Sequence, residues 1–234
     1  MRAAGHSEAV EMYLKSLAVL GGATRPVAVA ALAQRLDLTP VAANEMLRRL
    51  VQSGLVAHEA RHGFTLTKTG REAAQEVIRR ERLWERFLVD CLQLDPVRAT
   101  DWACLLEHAT SPEVVDALDA YLDYPATCPQ GQPIPRSAEA PFRWDGRPLA
   151  DVEVGETVRV VAFDDESAEV LDYLRRGGLE VGAIVRVSFA GPRRSTLELE
   201  GPHGPIVLGR EVAATIQTAS VTASVDAASV AGPS

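Results

Sequence analysis

Three side chains favoured by transition ions are spaced for one helical face. Cys104, Glu107 and His108 stand at i, i+3 and i+4 in Asp101-Trp-Ala-Cys-Leu-Leu-Glu-His108. A thiolate, a carboxylate and an imidazole make three of the four donors such an ion needs. The fourth must come from elsewhere. Met12 offers a thioether, although a lone Met taken by itself reads far more readily as core filler. The same Cys104 and His108 also admit a cysteine-hydrolase reading, but no orienting third residue or oxyanion loop accompanies them. Glu81 and Glu85 form a further i, i+4 pair of acids, which repel unless cations compensate. Arg82 and Arg86 are the bland compensators, and a metal is the alternative.

The elements that must carry these residues follow from apolar spacing. Ser7 to Leu20 reads as a helix bearing Met12 and ending at Gly21-Gly22. A second helix is expected from Pro26 to about Leu36. A third is capped by Thr39, with Pro40 at its first position, and runs to Gln52. Two short helices joined by a tight turn match a helix-turn-helix. Leu55–Glu59 and Phe64–Leu66 read as strands around the turn Ala60-Arg-His-Gly63, which is the wing of a winged helix. Thr69-Gly-Arg-Glu72 is expected to cap a long fourth helix reaching about Leu92. Asp95-Pro96 opens a fifth helix, which carries Cys104, and Thr110-Ser-Pro-Glu113 opens a sixth. The apolar surplus of these two predicts a self-complementary dimer face. From Leu149 short alternating strands predict a small SH3-like, FeoA-like barrel, with one helix over 166–176.

The fold class expected is therefore mainly α with small β. It comprises a winged helix-turn-helix DNA-binding domain (1–72), a helical dimerisation and metal-binding domain (73–140), a linker (141–148), an SH3-like domain (149–218) and a disordered tail (219–234). The 234 residues carry a net charge of -8, unevenly placed. The first seventy hold eight Lys/Arg against five Asp/Glu, and the rest is acidic. A mildly basic head on an acidic body confines nucleic-acid contact to that head. No apolar run spans a bilayer and the N-terminus lacks a signal h-region, so a cytoplasmic protein without a membrane partner is expected. Three cysteines without paired spacing argue against a disulfide framework.

In this order, Glu11-Met-Tyr-Leu14, Gly54-Leu55-Val56, Leu66-Thr-Lys-Thr-Gly70, Arg82-Leu-Trp-Glu-Arg86, Ala103-Cys-Leu-Leu-Glu-His108 and Cys128-Pro-Gln-Gly-Gln-Pro-Ile-Pro135 resemble the diphtheria-toxin-repressor family of metal-dependent transcription regulators. The resemblance covers the chain to about residue 218. It implies a primary metal site of Met12, Cys104, Glu107 and His108, of the iron-sensing type. The manganese-sensing branch has acids in place of Met12, Lys15 and Cys104. The ancillary site departs from the family pattern: its two histidines become Glu81 and Thr100, while Glu85 is retained. The acids Asp164-Asp-Glu166 are candidates to complete it. Ligand softness favours a late first-row ion over Mg(II) or Ca(II). Mn(II) or Fe(II), one or two per subunit, is the expectation.

The resemblance also implies a homodimer on palindromic double-stranded operator DNA, with metal bridging the reader and dimerisation domains, and no small-molecule substrate. Base-reading positions are Thr39, Pro40, Ala42 and Asn44, and phosphate contacts are Arg48, Arg49 and Arg61. Two rivals answer to other chemistry: a winged-helix regulator of an organic ligand with Cys104 as a core thiol, and a barrel acting chiefly as a protein-interaction module.

Overall fold

The computed structural model describes residues 6–136, 146–164 and 167–221. They form two compact units. Most of the first is residues 6–95 and 99–128, and most of the second lies beyond residue 146.

The first unit begins with α1 (Glu8–Val19), α2 (Val29–Arg35) and α3 (Pro40–Gln52). Thr39 caps α3, its Oγ1 accepting from the Ala42 amide at 3.2 Å, and Pro40 costs nothing where no intrahelical N–H is needed. The wing follows as the hairpin β1 (Val56–Glu59) and β2 (Gly63–Leu66), paired Val56 to Leu66 and Glu59 to Gly63. Arg61 takes a left-handed φ of 68° at its tip. Leu14, Leu17, Leu32, Leu47, Leu50, Leu55, Phe64 and Leu66 close one core beneath reader and wing. These residues are the apolar positions of helices with period 3.6 and of strands with period 2.

Two expected boundaries move, each for a long-range reason. The second helix starts at Val29 rather than at Pro26, because Val27 exchanges both backbone hydrogen bonds with Phe64 of the wing, at 2.9 and 3.0 Å. The fourth helix, α4 (Lys68–Arg86), is capped by Thr67 and not by Thr69. Thr67 Oγ1 accepts from the Gly70 amide at 3.1 Å and donates to the Gly54 carbonyl at 2.8 Å. A residue that caps a helix and closes the wing is favoured over one that only caps.

A π-helical turn, Phe87–Cys91, ends α4, and α5 (Pro96–Glu107) and α6 (Pro112–Tyr121) follow. Leu83, Val115, Leu118 and Ile134 form a second small core, and Leu88, Ala99 and Ala103 a third. Asp119, buried on α6, accepts from Arg79 at 2.8 Å and from Arg136 at 2.5 Å. Burial opposes its charge, but the two guanidiniums win and hold its carboxyl below the usual range.

The second unit is a six-stranded antiparallel sheet in the order β3-β8-β4-β5-β6-β7. Its strands are β3 (Arg147–Pro148), β4 (Thr157–Phe163), β5 (Ile184–Ala190), β6 (Thr196–Gly201), β7 (Gly204–Gly209) and β8 (Ile216–Ser220). The helix α7 (Ala168–Arg176) and the short α8 (Arg210–Ala214) complete it. Val160, Leu174, Val187, Leu197, Leu199 and Leu208 fill its core. Arg147 and Pro148 were expected in a linker, yet they pair with Thr218 and Gln217. β8 likewise runs two residues beyond the expected domain end. The remainder of the linker and tail falls mostly outside the described residues, as do Asp165 and Glu166. No helix among the described residues is long and apolar enough to cross a membrane.

Candidate metal centre

The end of α5, with His108 just beyond it, brings the three donors together. One ligand atom from each of Cys104, Glu107 and His108 lies within 4.8 Å of the others, the one such His/Cys/Asp/Glu group among the described residues. Ala99 and Ala103 are buried beside Glu107 while Trp102 and Leu105 stand exposed across the helix, so the donor face turns inward. Glu107 is fully buried. Its Oε2 and the Nε2 of His108 are buried polar atoms without a hydrogen-bond partner, although Nε2 lies 3.3 Å from Glu107 Oε1. Two such orphans on adjacent residues are costly unless something else satisfies them, so the donor set fits a cation.

Partners for the remaining ligand atoms come from α1. His108 Nδ1 lies 2.7 Å from Glu11 Oε2, and Arg80 donates to the other Glu11 oxygen at 2.7 Å. A carboxylate can only accept, so Nδ1 donates to Glu11, and Nε2 is turned to the cluster, 3.3 Å from Glu107 Oε1. Lys15 donates to Glu107 Oε1 at 2.9 Å and to Glu81 Oε1 at 2.8 Å, and its Nζ is 3.9 Å from Cys104 Sγ. Burial works against the Lys15 charge, but Glu81, Glu107 and Cys104 outweigh it and raise its pKa.

Neither Glu11 nor Lys15 was identified as a working part of the site from the residues alone. The available signal was that both are charged, stand i, i+4 to one another and interrupt the apolar run of the helix. Arg82 and Arg86 do not compensate Glu81 and Glu85. Arg82 donates to the Pro133 carbonyl and Arg86 pairs with Asp90 at 3.4 Å.

Met12 is half-buried on α1, beside Glu11 in sequence. Glu81 and Glu85 turn to different partners. Glu81 meets Lys15, while Glu85 accepts from Thr100 Oγ1 at 3.1 Å. Asp164, in the second unit, accepts from the side-chain amides of Gln132 and Gln217. On the reader, Thr39, Pro40, Ala42, Arg48, Arg49 and Arg61 are exposed and Asn44 is half-buried. Arg49 pairs with Glu45 at 2.7 Å, both well exposed, a contact worth well under about 1 kcal/mol and easily exchanged for a phosphate. Val41 is 79% exposed between Pro40 and Ala42, an apolar surface turned to solvent.

Burial pushes the Cys104 thiol up, and Glu107 and Glu81 add to this while Lys15 opposes it. A catalytic nucleophile needs the reverse. For Glu107, burial first and Glu81 second raise the pKa from 4.5 to about 8, against Lys15 and Arg80. A carboxyl raised in the folded chain stabilises it fully below about 4.5, and this contribution is lost as pH rises through about 8. In chelator the melting temperature is therefore expected to fall between pH 6 and 8.5, more steeply than for Glu107→Gln. With Mn(II) present the fall should shrink, because a metal displaces the proton. Parallel slopes for wild type and Glu107→Gln in chelator would remove Glu107 as the cause.

Three family models match the chain: the iron dependent repressor N-terminal DNA binding domain over residues 6–64, the iron dependent repressor metal binding and dimerisation domain over 67–136, and the FeoA domain over 147–219. The diphtheria toxin repressor of Corynebacterium efficiens is 30% identical over 77% of this chain and 83% of its own length. A solved manganese-dependent transcriptional repressor in complex with manganese superposes with a TM-score of 0.82. It is 30% identical, over 91% of this chain and all of that one. The structure of ScaR with bound zinc gives a TM-score of 0.81 at 29% identity, over 91% of this chain and 99% of that one. With a winged reader, a helical metal and dimerisation domain and a FeoA barrel in that order, the chain belongs to the iron-dependent, diphtheria-toxin-repressor family of metal-dependent DNA-binding repressors.

Proposed function

We propose that this chain represses transcription as a homodimer when one Mn(II) or Fe(II) per subunit is held by Met12, Cys104, Glu107 and His108. The observation that carries the reading is the convergence of three donors within 4.8 Å with Glu107 Oε2 and His108 Nε2 left orphaned. When bound, the ion supplies a Lewis-acid crosslink between side chains of α1 and α5. The chain's own residues do the rest. Glu11 fixes the His108 tautomer, and Arg80 holds Glu11 in place. From α1 the chain passes directly to Val27 and its bridge to the wing, so the set of α1 reaches the DNA reader.

On the reader, Thr39, Pro40, Ala42 and Asn44 face base edges, and the exposed Val41 suits a thymine methyl. Arg48, Arg49 and Arg61 take phosphates. The dimer face is argued from Trp102 and Leu105 on α5, 50% and 65% exposed, and Tyr121 on α6, 70% exposed. Two such readers then meet half-sites about one duplex turn apart, roughly 34 Å. Glu81 and Glu85 face different partners, which favours one ion over two. Thiolate and imidazole accept zinc as readily as iron, so cellular availability selects the ion.

The test is selection of a randomised double-stranded library on the full chain with Mn(II), with anaerobic Fe(II), with Zn(II) and with chelator. A palindromic motif should be enriched with Mn(II) or Fe(II) and lost in chelator. Equal enrichment with and without metal would end this reading.

A further inference from the structure

A cation is already built into the metal cluster. Lys15 is a charged residue, 5% exposed, on a helix whose neighbours Leu14 and Leu17 are wholly core. Its ammonium is within 3 Å of two carboxylates, Glu81 at 2.8 Å and Glu107 at 2.9 Å, and 3.9 Å from the Cys104 sulfur. A buried ammonium held by two carboxyl groups, with a sulfur at 3.9 Å, is fixed and fully engaged. Glu107 belongs to two systems at once: Oε1 is taken by Lys15, while Oε2 is orphaned.

We infer that Lys15 is an intramolecular competitor of the metal: a tethered cation that holds the cluster together in the metal-free chain and sets how much metal is needed to occupy it. This rests on the reading of Cys104, Glu107 and His108 as ligands. A metal–thiolate bond is roughly 2.3 Å long. An ion on Cys104 therefore lies within about 6 Å of the ammonium as it stands, whatever the direction of the bond. Two cations that close in a buried site repel strongly. Loading must either bear that repulsion or expel Lys15 from Glu107, and both weaken the apparent affinity. The same contact removes the opposite problem, since without an ion Glu81 and Glu107 would face one another uncompensated. The arrangement thus exchanges maximal affinity for an assembled metal-free site.

The experiment is a Co(II) titration of the full chain, read by the thiolate-to-cobalt charge-transfer band, in wild type, Lys15→Met, Lys15→Arg and Cys104→Ser. Lys15→Met is expected to bind at least about tenfold more tightly than wild type, and Lys15→Arg, which keeps the charge, about as wild type does. In chelator Lys15→Met should melt at a lower temperature and gain more on metal loading. Should Lys15→Met not fold without metal, Lys15→Met/Glu81→Gln decides. It keeps the formal charge of the site while removing the ammonium, and should also bind about tenfold more tightly. Affinity no higher than wild type in every foldable ammonium-free variant overturns the role of Lys15 alone. A wild type without the band, or a band that survives Cys104→Ser, overturns the ligand assignment itself and this inference with it.

Discussion

His108→Ala is expected to lower metal affinity by at least about 100-fold and to leave DNA binding indifferent to metal over the range in which wild type responds. The substitution deletes the donor whose Nε2 is buried and orphaned beside Glu107. It also takes the Nδ1 partner from Glu11, but the rest of the network stands. Glu11 keeps Arg80, at 2.7 Å, and Lys15 keeps both its carboxylates. In chelator the melting temperature should therefore stay close to wild type, which separates loss of a ligand from loss of the fold. Cys104→Ala should act the same way, without the cost of an unpaired charge. The measurement pairs a metal titration, followed by DNA binding to the selected motif, with thermal denaturation in chelator. A His108→Ala titration that overlays wild type would show that the imidazole belongs to the Glu11–Arg80 network and to no metal.

Gly70→Ala is expected to destabilise the reader by about 3 kcal/mol or more, enough to unfold a marginal domain. Gly70 lies in the first turn of α4, where alanine normally stabilises a helix. Here an added Cβ would stand 1.9 Å from the Leu55 carbonyl oxygen and 2.9 Å from its carbon, and that backbone cannot turn aside. Leu55 is core, and its carbonyl accepts both the Thr67 amide and the Thr67 hydroxyl. The clash would open the junction of recognition helix, wing and α4 together. Gly54→Ala is the control: its φ is +73° but nothing lies within 4 Å of its added Cβ. It should cost about 1 kcal/mol of backbone strain. Urea denaturation compares the two, and a Gly70→Ala no worse than Gly54→Ala would mean the junction yields freely.

What could be read in the chain beforehand was what is encoded locally. The Thr39-Pro40 cap, the wing hairpin and the donor face of α5 each depend on spacings of a few residues. Such spacings survive into the fold because the helix and strand periods are fixed. Lys15 shows the limit. It finds its carboxylates 66 and 92 residues away. No local pattern distinguishes a lysine destined for such a pair from one that reaches solvent. The same distance hid the compensation of Glu81, which local reasoning left between the neighbouring Arg82 and Arg86 and a metal. β3 was invisible for a related reason: two residues have no periodicity, and Arg147 is a strand residue only because Thr218, 71 positions later, lies beside it. Thr69, with Glu72 three residues on, is the cap that local spacing suggests, and Thr67 caps instead because the Gly54 and Leu55 carbonyls stand beside its hydroxyl.

The bridge from Val27 to the wing has a consequence for the entropy of DNA recognition. Wings are hairpins, and a hairpin standing alone is barely ordered in water. This one is sewn down on its second side: Val27 and Phe64 exchange both backbone bonds, Leu66 donates to Gly22 at 2.8 Å, and Gly63 packs where any side chain would strike the Val27 carbonyl. The conformational freedom of β2 is thus surrendered when the chain folds and not when it meets a duplex. Arg61 is presented from a turn already in its left-handed shape. Contacts that need no further ordering return more of their energy as affinity. They also dissociate without unravelling, which suits a repressor that must let go when its metal is withdrawn.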